Sequence, residues 1–241
     1  MAGKEYGMEI DELKESSKEE IESRLILSVI NYTENAKFLA PYPVVQKGDF
    51  ALYTQVCIGE KNDYGMYTAC LSVTEELRQT WGIHRMDLFE KAAENSKILF
   101  PGEISPLSAF ANRTEGLIMP DGNAIPDVYV LSNSYHFNGA AALFYQSELL
   151  DDLGTVLNKS HFVLMPTGVN EVYCIASNEK ADLMGYQVLF DEVLENVEGR
   201  SALSQNVMDY DVKNKIVEEL TGDIYSLDVD ETPQFIRGKG R

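Results

Sequence analysis

Basic residues are scarce. Only 20 Lys and Arg stand against 39 Asp and Glu, for a formal net charge of −19 over 241 residues. A field of that sign repels phosphate, which disfavours direct nucleic-acid binding and docking on anionic membranes. Cysteine is nearly absent: Cys57, Cys70 and Cys174 are scattered, and no two have C-x-x-C spacing. That excludes a disulfide framework and offers neither a zinc site nor a dithiol redox motif, so three free thiols are expected. Histidine is as rare, and His84, His136 and His161 lie far apart. No metal site and no cofactor are therefore expected. The phosphate-cradling loops GxGxxG and GxxxxGK[ST] are missing, as are HExxH and GxSxG. The first residues, MAGKEYGMEIDELKESS, hold no apolar stretch like that of a signal peptide. No apolar run approaches the roughly 20 residues of a membrane-spanning helix. The expectation is a cytoplasmic protein without membrane contact.

What is present is acid, unevenly spread. Residues 1–23 carry eight acids and three bases, residues 179–231 carry fourteen and four, and the last ten residues carry only bases. This divides the chain into an acidic N-terminal extension (1–23), a core domain (24–200) and an acidic C-terminal segment (201–241) ending in a short basic tail that reads as disordered. Near the start of the core, Ser17 and Glu20 form a capping box. LILSVINY reads as a strand, with helix as its rival. FALYTQVCIG and YGMYTACLSV alternate around EKND and predict a β-hairpin with its turn inside Gly59–Tyr64. A turn near Asn62 sets Cys57 opposite Tyr67, which argues against a Cys57–Cys70 disulfide. Ser72 and Glu75 form a second capping box, and MDLFEKAAENSKIL is an amphipathic helix. The long stretch from Pro101 to Pro126 reads as irregular, with room for a strand. VYVLSN is a strand, GAAALFY is either strand or helix, and SELLDDLGTVLN is a helix capped by Ser147 that buries five apolar residues, Val156 among them. HFVLMP and EVYCIA are strands around the turn TGVN. In ADLMGYQVLFDEVLENVEG, Leu183, Tyr186, Phe190, Val193 and Val197 recur at helical spacing. Hairpins and helices without βαβ alternation give an α+β fold, an antiparallel or mixed sheet with helices packed against it.

Two groups of residues are candidates for function. Thr167, Asn170 and Glu171 gather a hydroxyl, an amide and a carboxylate at one turn, and Asn133 and His136 follow the VYVLSN strand. Turn geometry alone also accounts for Asn170 and its glycine neighbour. On the helix of ADLMGYQVLFDEVLENVEG, Asp191, Glu192, Glu195 and Glu198 fall within about 120° of arc at 100° per residue. That is the pattern of a surface for a basic protein partner, and also of an ordinary solvated face.

Three blocks carry a family resemblance: INYTENAKFLAPYPVVQKGDFALYTQVCI, TEELRQTWGIHRMDLFEKAAENSKILFP, and VYVLSNSYHFNGAAALFYQSELLDDLGTVLNKSHFVLMPTGVNEVYCIAS. Together they resemble a bacterial domain-of-unknown-function family numbered five-six-eight-eight, of gut Firmicutes and mobile elements. The family's last turn reads more like P-S-S-x-H-E, so Asn170 stands where that pattern has histidine. The resemblance implies a bacterial source, such as a plasmid, conjugative element or phage, and brings no established activity. The resulting expectation is a non-enzymatic protein acting through protein–protein contacts. One alternative is a mobile-element or phage inhibitor that occupies a host defence nuclease as an acidic nucleic-acid mimic, with the helix face from Asp191 to Glu198 and the acids from Asp209 to Glu231 as its surface. The other is an enzyme of unknown reaction.

Overall fold

The computed structural model describes residues 13, 16–61, 67–111, 128–196 and 202–229. Side-chain alternation builds the first sheet. β1 (Leu25–Asn31) and β3 (Phe50–Lys61) pair antiparallel, from Leu25 opposite Val56 to Asn31 opposite Phe50. Leu25, Leu27, Val29, Phe50, Leu52, Val56 and Ile58 face the main core. The residues between them, such as Ile26, Ala51, Tyr53 and Cys57, face the other way. β2 (Val45–Lys47) and β4 (Tyr67–Ser72) pair along the second edge of β3.

The predicted hairpin is therefore present as β3 and β4, but its register is not the expected one. Cys57 pairs with Cys70, three residues later than a turn near Asn62 would place it. The ladder shifts between Ile58 and Lys61, and β3 runs on to Lys61, past the expected start of the turn. Pairing that reaches Lys61, opposite Tyr67, accounts for the displacement, and the one-residue shift moves Cys57 one residue back toward the expected partner. The rest of the expected turn lies outside the described residues.

Short helices close this sheet. Before α1 (Lys18–Glu22), Ser17 Oγ accepts from the Glu20 N–H at 3.2 Å, as the capping box predicts, and Ile21 is buried. Leu13 is buried too, and its carbonyl accepts from Trp81 Nε1 at 3.0 Å, so the acidic extension packs on the core at least in part. α2 (Ala36–Leu39) precedes β2. The cap of α3 (Glu75–Thr80) is Thr74, whose Oγ1 accepts from the Leu77 N–H at 3.1 Å, whereas Ser72 stays in β4. α4 (Arg85–Leu99) buries Leu88, Phe89 and Ala92, and its Ser96 Oγ accepts from the Leu27 N–H at 2.9 Å.

The second sheet is larger. β5 (Gly102–Pro106) and α5 (Leu107–Ala111) begin the stretch expected to be irregular, and residues 112–127 lie outside those described. Then come β6 (Val128–Asn133), α6 (Ala142–Tyr145), α7 (Glu148–Leu157), β7 (His161–Gly168), β8 (Glu171–Ser177) and α8 (Leu183–Asn196). GAAALFY is thus helical, a 3-10 turn leading into α6. Ser147 makes no side-chain cap bond, and Val156 is exposed instead of inward.

β9 (Met208–Asp211), β10 (Ile216–Glu219) and β11 (Ile224–Ser226) complete an antiparallel sheet of order β11-β10-β9-β7-β8-β6-β5. These last three strands lie beyond residue 200, where the sequence reading ends the core domain. Each has three or four residues, too few for a period to stand out, and β9 is recruited by pairing with β7. The basic tail lies outside the described residues. Leu131, Phe162, Leu164, Val172, Met208, Tyr210 and Val217 join the core shared with the first sheet. Val163, Met165 and Val207 line the opposite face, under α8. The fold is α+β, with two antiparallel sheets and packed helices.

Candidate functional site

α8 is the element whose outer surface stands out. Leu183 and Phe190 anchor it on Val163, Met165 and Val207. Its approach is clamped from the sheet below. The buried Asp209 carboxylate accepts from the Ala181 N–H at 3.2 Å through Oδ1 and from His161 Nδ1 at 2.8 Å through Oδ2. Lys180 Nζ donates to both oxygens of Glu218, at 2.6 and 2.7 Å. Midway along, Gln187 Oε1 accepts from the Val207 N–H at 3.0 Å, while Nε2 donates to the Gln205 carbonyl and to Asp191. The helix is held firmly by one side and leaves the other to solvent.

That outer side is not the purely acidic face expected. Met184, Val188 and Leu189 are 66%, 62% and 45% exposed. Asp191, Glu192 and Glu195 are exposed or partly so, and Glu198 lies outside the described residues. At about 100° per residue, Met184, Val188, Asp191, Glu192 and Glu195 share an arc of about 100°, with Leu189 beside it. The stripe is therefore apolar in its first half and acidic in its second. Fully burying one such side chain is worth about 1.5–3 kcal/mol, and each of these three leaves about half or more of that gain unrealised. Single exposed apolar residues need no explanation, but a contiguous group points to an interaction site.

The second candidate group is a structural knot. β6 pairs with β8 with Leu131 opposite Val172, which carries Asn133 to the β7–β8 turn and Asn170. Asn133 Oδ1 accepts from the N–H groups of Tyr135 and Phe137 at 3.1 and 3.3 Å, and its Nδ2 donates to the Phe137 carbonyl at 2.7 Å. The loop that bears His136 is thus wound around this one amide, with His136 in the left-handed region at φ 52°. Asn170 Oδ1 accepts from the Asn138 N–H at 3.0 Å, and the Asn170 carbonyl accepts from Ser132 Oγ at 2.7 Å. Asn138 Nδ2 then donates to Ser28 Oγ at 2.6 Å, tying the loop to the first sheet. Thr167 and Glu171 are buried on the flanking strands. The structure thus brings Asn133 and Asn170 together, and both engage the loop backbone through their side-chain amides.

Two acids of the 209–231 segment that the sequence offers as mimic surface, Asp209 and Glu219, are instead buried, because strand pairing and the β2–β3 turn take them out of water. Glu219 Oε1 accepts from the Tyr225 hydroxyl at 2.8 Å and from the Asp49 N–H at 3.3 Å, which joins the β10–β11 hairpin to the β2–β3 turn. Asp49 Oδ2 in turn accepts from Ser204 Oγ and Asn206 Nδ2 at 2.7 and 3.0 Å. Burial pushes the Glu219 carboxyl above its usual range, against the opposing pull of the Tyr225 hydroxyl bond. A carboxyl raised on folding contributes stability that is complete below its unfolded pKa and lost as pH rises through the folded one. Glu219→Gln should therefore reduce the fall of the denaturation midpoint as pH rises above the ordinary glutamate range, about 4. A variant that keeps the wild-type slope would show that Glu219 titrates as it does in the unfolded chain.

Among the described residues there is no cluster of three or more His, Cys, Asp and Glu suited to a metal ion. No helix among them is long and apolar enough to cross a membrane. The model of a family of unknown function (DUF5688) matches residues 3–212, and the chain belongs to that family. No curated protein and no solved structure matches it.

Proposed function

We propose that this member of the DUF5688 family acts through protein–protein contacts, with the outer face of α8 as its docking surface. The observation that carries the reading is the exposed run Met184, Val188 and Leu189, continuous with Asp191, Glu192 and Glu195 on a helix otherwise clamped in place. The occupant that complements it is a basic amphipathic helix of a partner protein. Its apolar residues would cover the first half of the stripe and its Lys or Arg residues would meet the second. Carboxylates spaced like phosphates would be enough for a nucleic-acid mimic, and the apolar half has no place in that role. It favours a general protein contact over inhibition of a defence nuclease. A cytoplasmic site of action and a mobile-element origin belong to the same proposal; net charge and cysteine content support the first, the family resemblance the second.

The test begins with affinity capture of the partner by the wild-type protein, followed by association rates at low and high salt. Exposed charges act mainly by steering encounter, screened beyond about 8–10 Å at physiological salt. Replacing Asp191, Glu192, Glu195 and Glu198 by Lys should slow association at low salt by about tenfold or more and flatten its salt dependence. An unchanged rate at low salt would show these acids to be solvated surface.

A further inference from the structure

Cys57 and Cys70 lie outside everything described for α8, and the register of the small sheet makes them a pair. Their sulfurs are 3.6 Å apart. The Thr54 carbonyl accepts from the Val73 N–H at 3.0 Å, whereas Cys57 turns its N–H away to the Arg24 carbonyl of the other neighbour at 2.9 Å. Bonds between β3 and β4 therefore fall on Thr54 and every second residue after it. Cys57 and Cys70 face each other at a non-hydrogen-bonded position, where Cα atoms stand about 4.5 Å apart. Disulfides span Cα separations of about 4.4–6.8 Å, so the backbone already meets the requirement.

The two thiols differ in access. Cys57 is fully buried among Ile26, Phe100 and Leu99, while Cys70 is half-buried on β4, which pairs with β3 and with no other described strand. A reagent from solvent meets Cys70 first, and Cys57 waits behind it within reach.

We propose that Cys57 and Cys70 are a reversible redox modification site, a cross-strand thiol pair oxidised to a disulfide by low-molecular-weight disulfides that enter at Cys70. Cys70, as thiolate, attacks one sulfur of the small disulfide. The S–S bond breaks, one thiolate leaves, and a mixed disulfide forms on Cys70. The Cys57 sulfur then attacks Cys70 Sγ and displaces the second small thiolate. The protein loses two electrons and two protons, and the oxidant is released as two thiols. The hydrogen bond from Cys57 lowers the pKa of the Cys70 thiol below its ordinary value, which favours Cys70 as the entering nucleophile. Cys174 stands apart: buried, its thiol is pushed up to about 12, and it has no part in the exchange.

The experiment equilibrates the reduced, folded full-length chain with excess oxidised glutathione, quenches with acid, and counts thiols after denaturation. The count should fall from three to one, with a bond mapped between Cys57 and Cys70 and full recovery on reduction. In Cys70→Ser, Cys57 and Cys174 should both remain thiols, because the entry group is gone. Three thiols retained by the wild type would overturn the proposal. So would a glutathione adduct that stays on Cys70 while Cys57 remains a thiol, and so would rapid modification of Cys57 in Cys70→Ser.

Discussion

Gly48→Ala should destabilise the protein by about 3 kcal/mol, a large part of the roughly 5–15 kcal/mol typical of a domain. Gly48 turns the chain from β2 into β3 at φ +53°. A Cβ placed there would lie 1.8 Å from Glu219 Oε1 and 2.8 Å from Tyr225 Cε1. Left-handed backbone costs a non-glycine residue about 1–2 kcal/mol. Glu219 cannot move aside freely, since its Oε1 accepts from the Tyr225 hydroxyl and the Asp49 N–H and the side chain is buried. Breaking those bonds leaves buried groups unsatisfied, at about 1–3 kcal/mol. Gly82→Ala separates the two contributions. Gly82 has φ +64°, but a Cβ there would meet nothing within 4 Å, so only the backbone cost should appear. Equal losses in the two variants, measured by chemical denaturation, would show that the contact between the β2–β3 turn and Glu219 has no weight.

Met184→Asp together with Val188→Asp should remove partner binding while leaving the fold intact. Both side chains are more than half exposed, so the folded state loses little when they become polar. Anchors at the centre of an interface cost about 2 kcal/mol or more when truncated, and each step of about 1.4 kcal/mol is tenfold in affinity. The double variant is therefore expected to weaken binding by about a hundredfold or more, with a wild-type melting curve. The acid-reversed variant should act mainly on the association rate and the apolar variant mainly on dissociation. Binding retained by the Asp variant would move the interface away from the first half of α8.

The strands of the hairpin were legible because FALYTQVCIG and YGMYTACLSV alternate, and alternation is what a half-buried strand requires. Their register was not, because residue type does not show that β3 stays paired as far as Lys61, opposite Tyr67, which displaces the ladder by three residues. That one displacement hid the Cys57–Cys70 pair, which no spacing rule finds at thirteen residues apart. In α8 the periodicity named Leu183, Tyr186, Phe190, Val193 and Val197 as inward: Leu183 and Phe190 are buried, Tyr186 and Val193 half-buried, and Val197 lies outside the described residues. It was silent on Met184, Val188 and Leu189, since a period identifies one stripe and does not reveal what the opposite stripe lacks. Of the polar candidates, Asn133 and Asn170 do meet, but their roles depend on loop hydrogen bonds that sequence spacing does not encode. Asp209 and Glu219 looked like any other acid in a segment full of them. Only the pairing of β9 with β7 and the approach of the β2–β3 turn take them out of water.

Hydroxyl-radical footprinting of the protein with and without its captured partner tests the docking surface most directly, because Met184 is an exposed and reactive reporter at the head of the stripe. Bound partner should slow oxidation of Met184 severalfold, with parallel protection of Leu189. Met184 oxidised at the same rate in the complex as alone, with protection elsewhere on the molecule, would contradict the assignment of α8 as the interface.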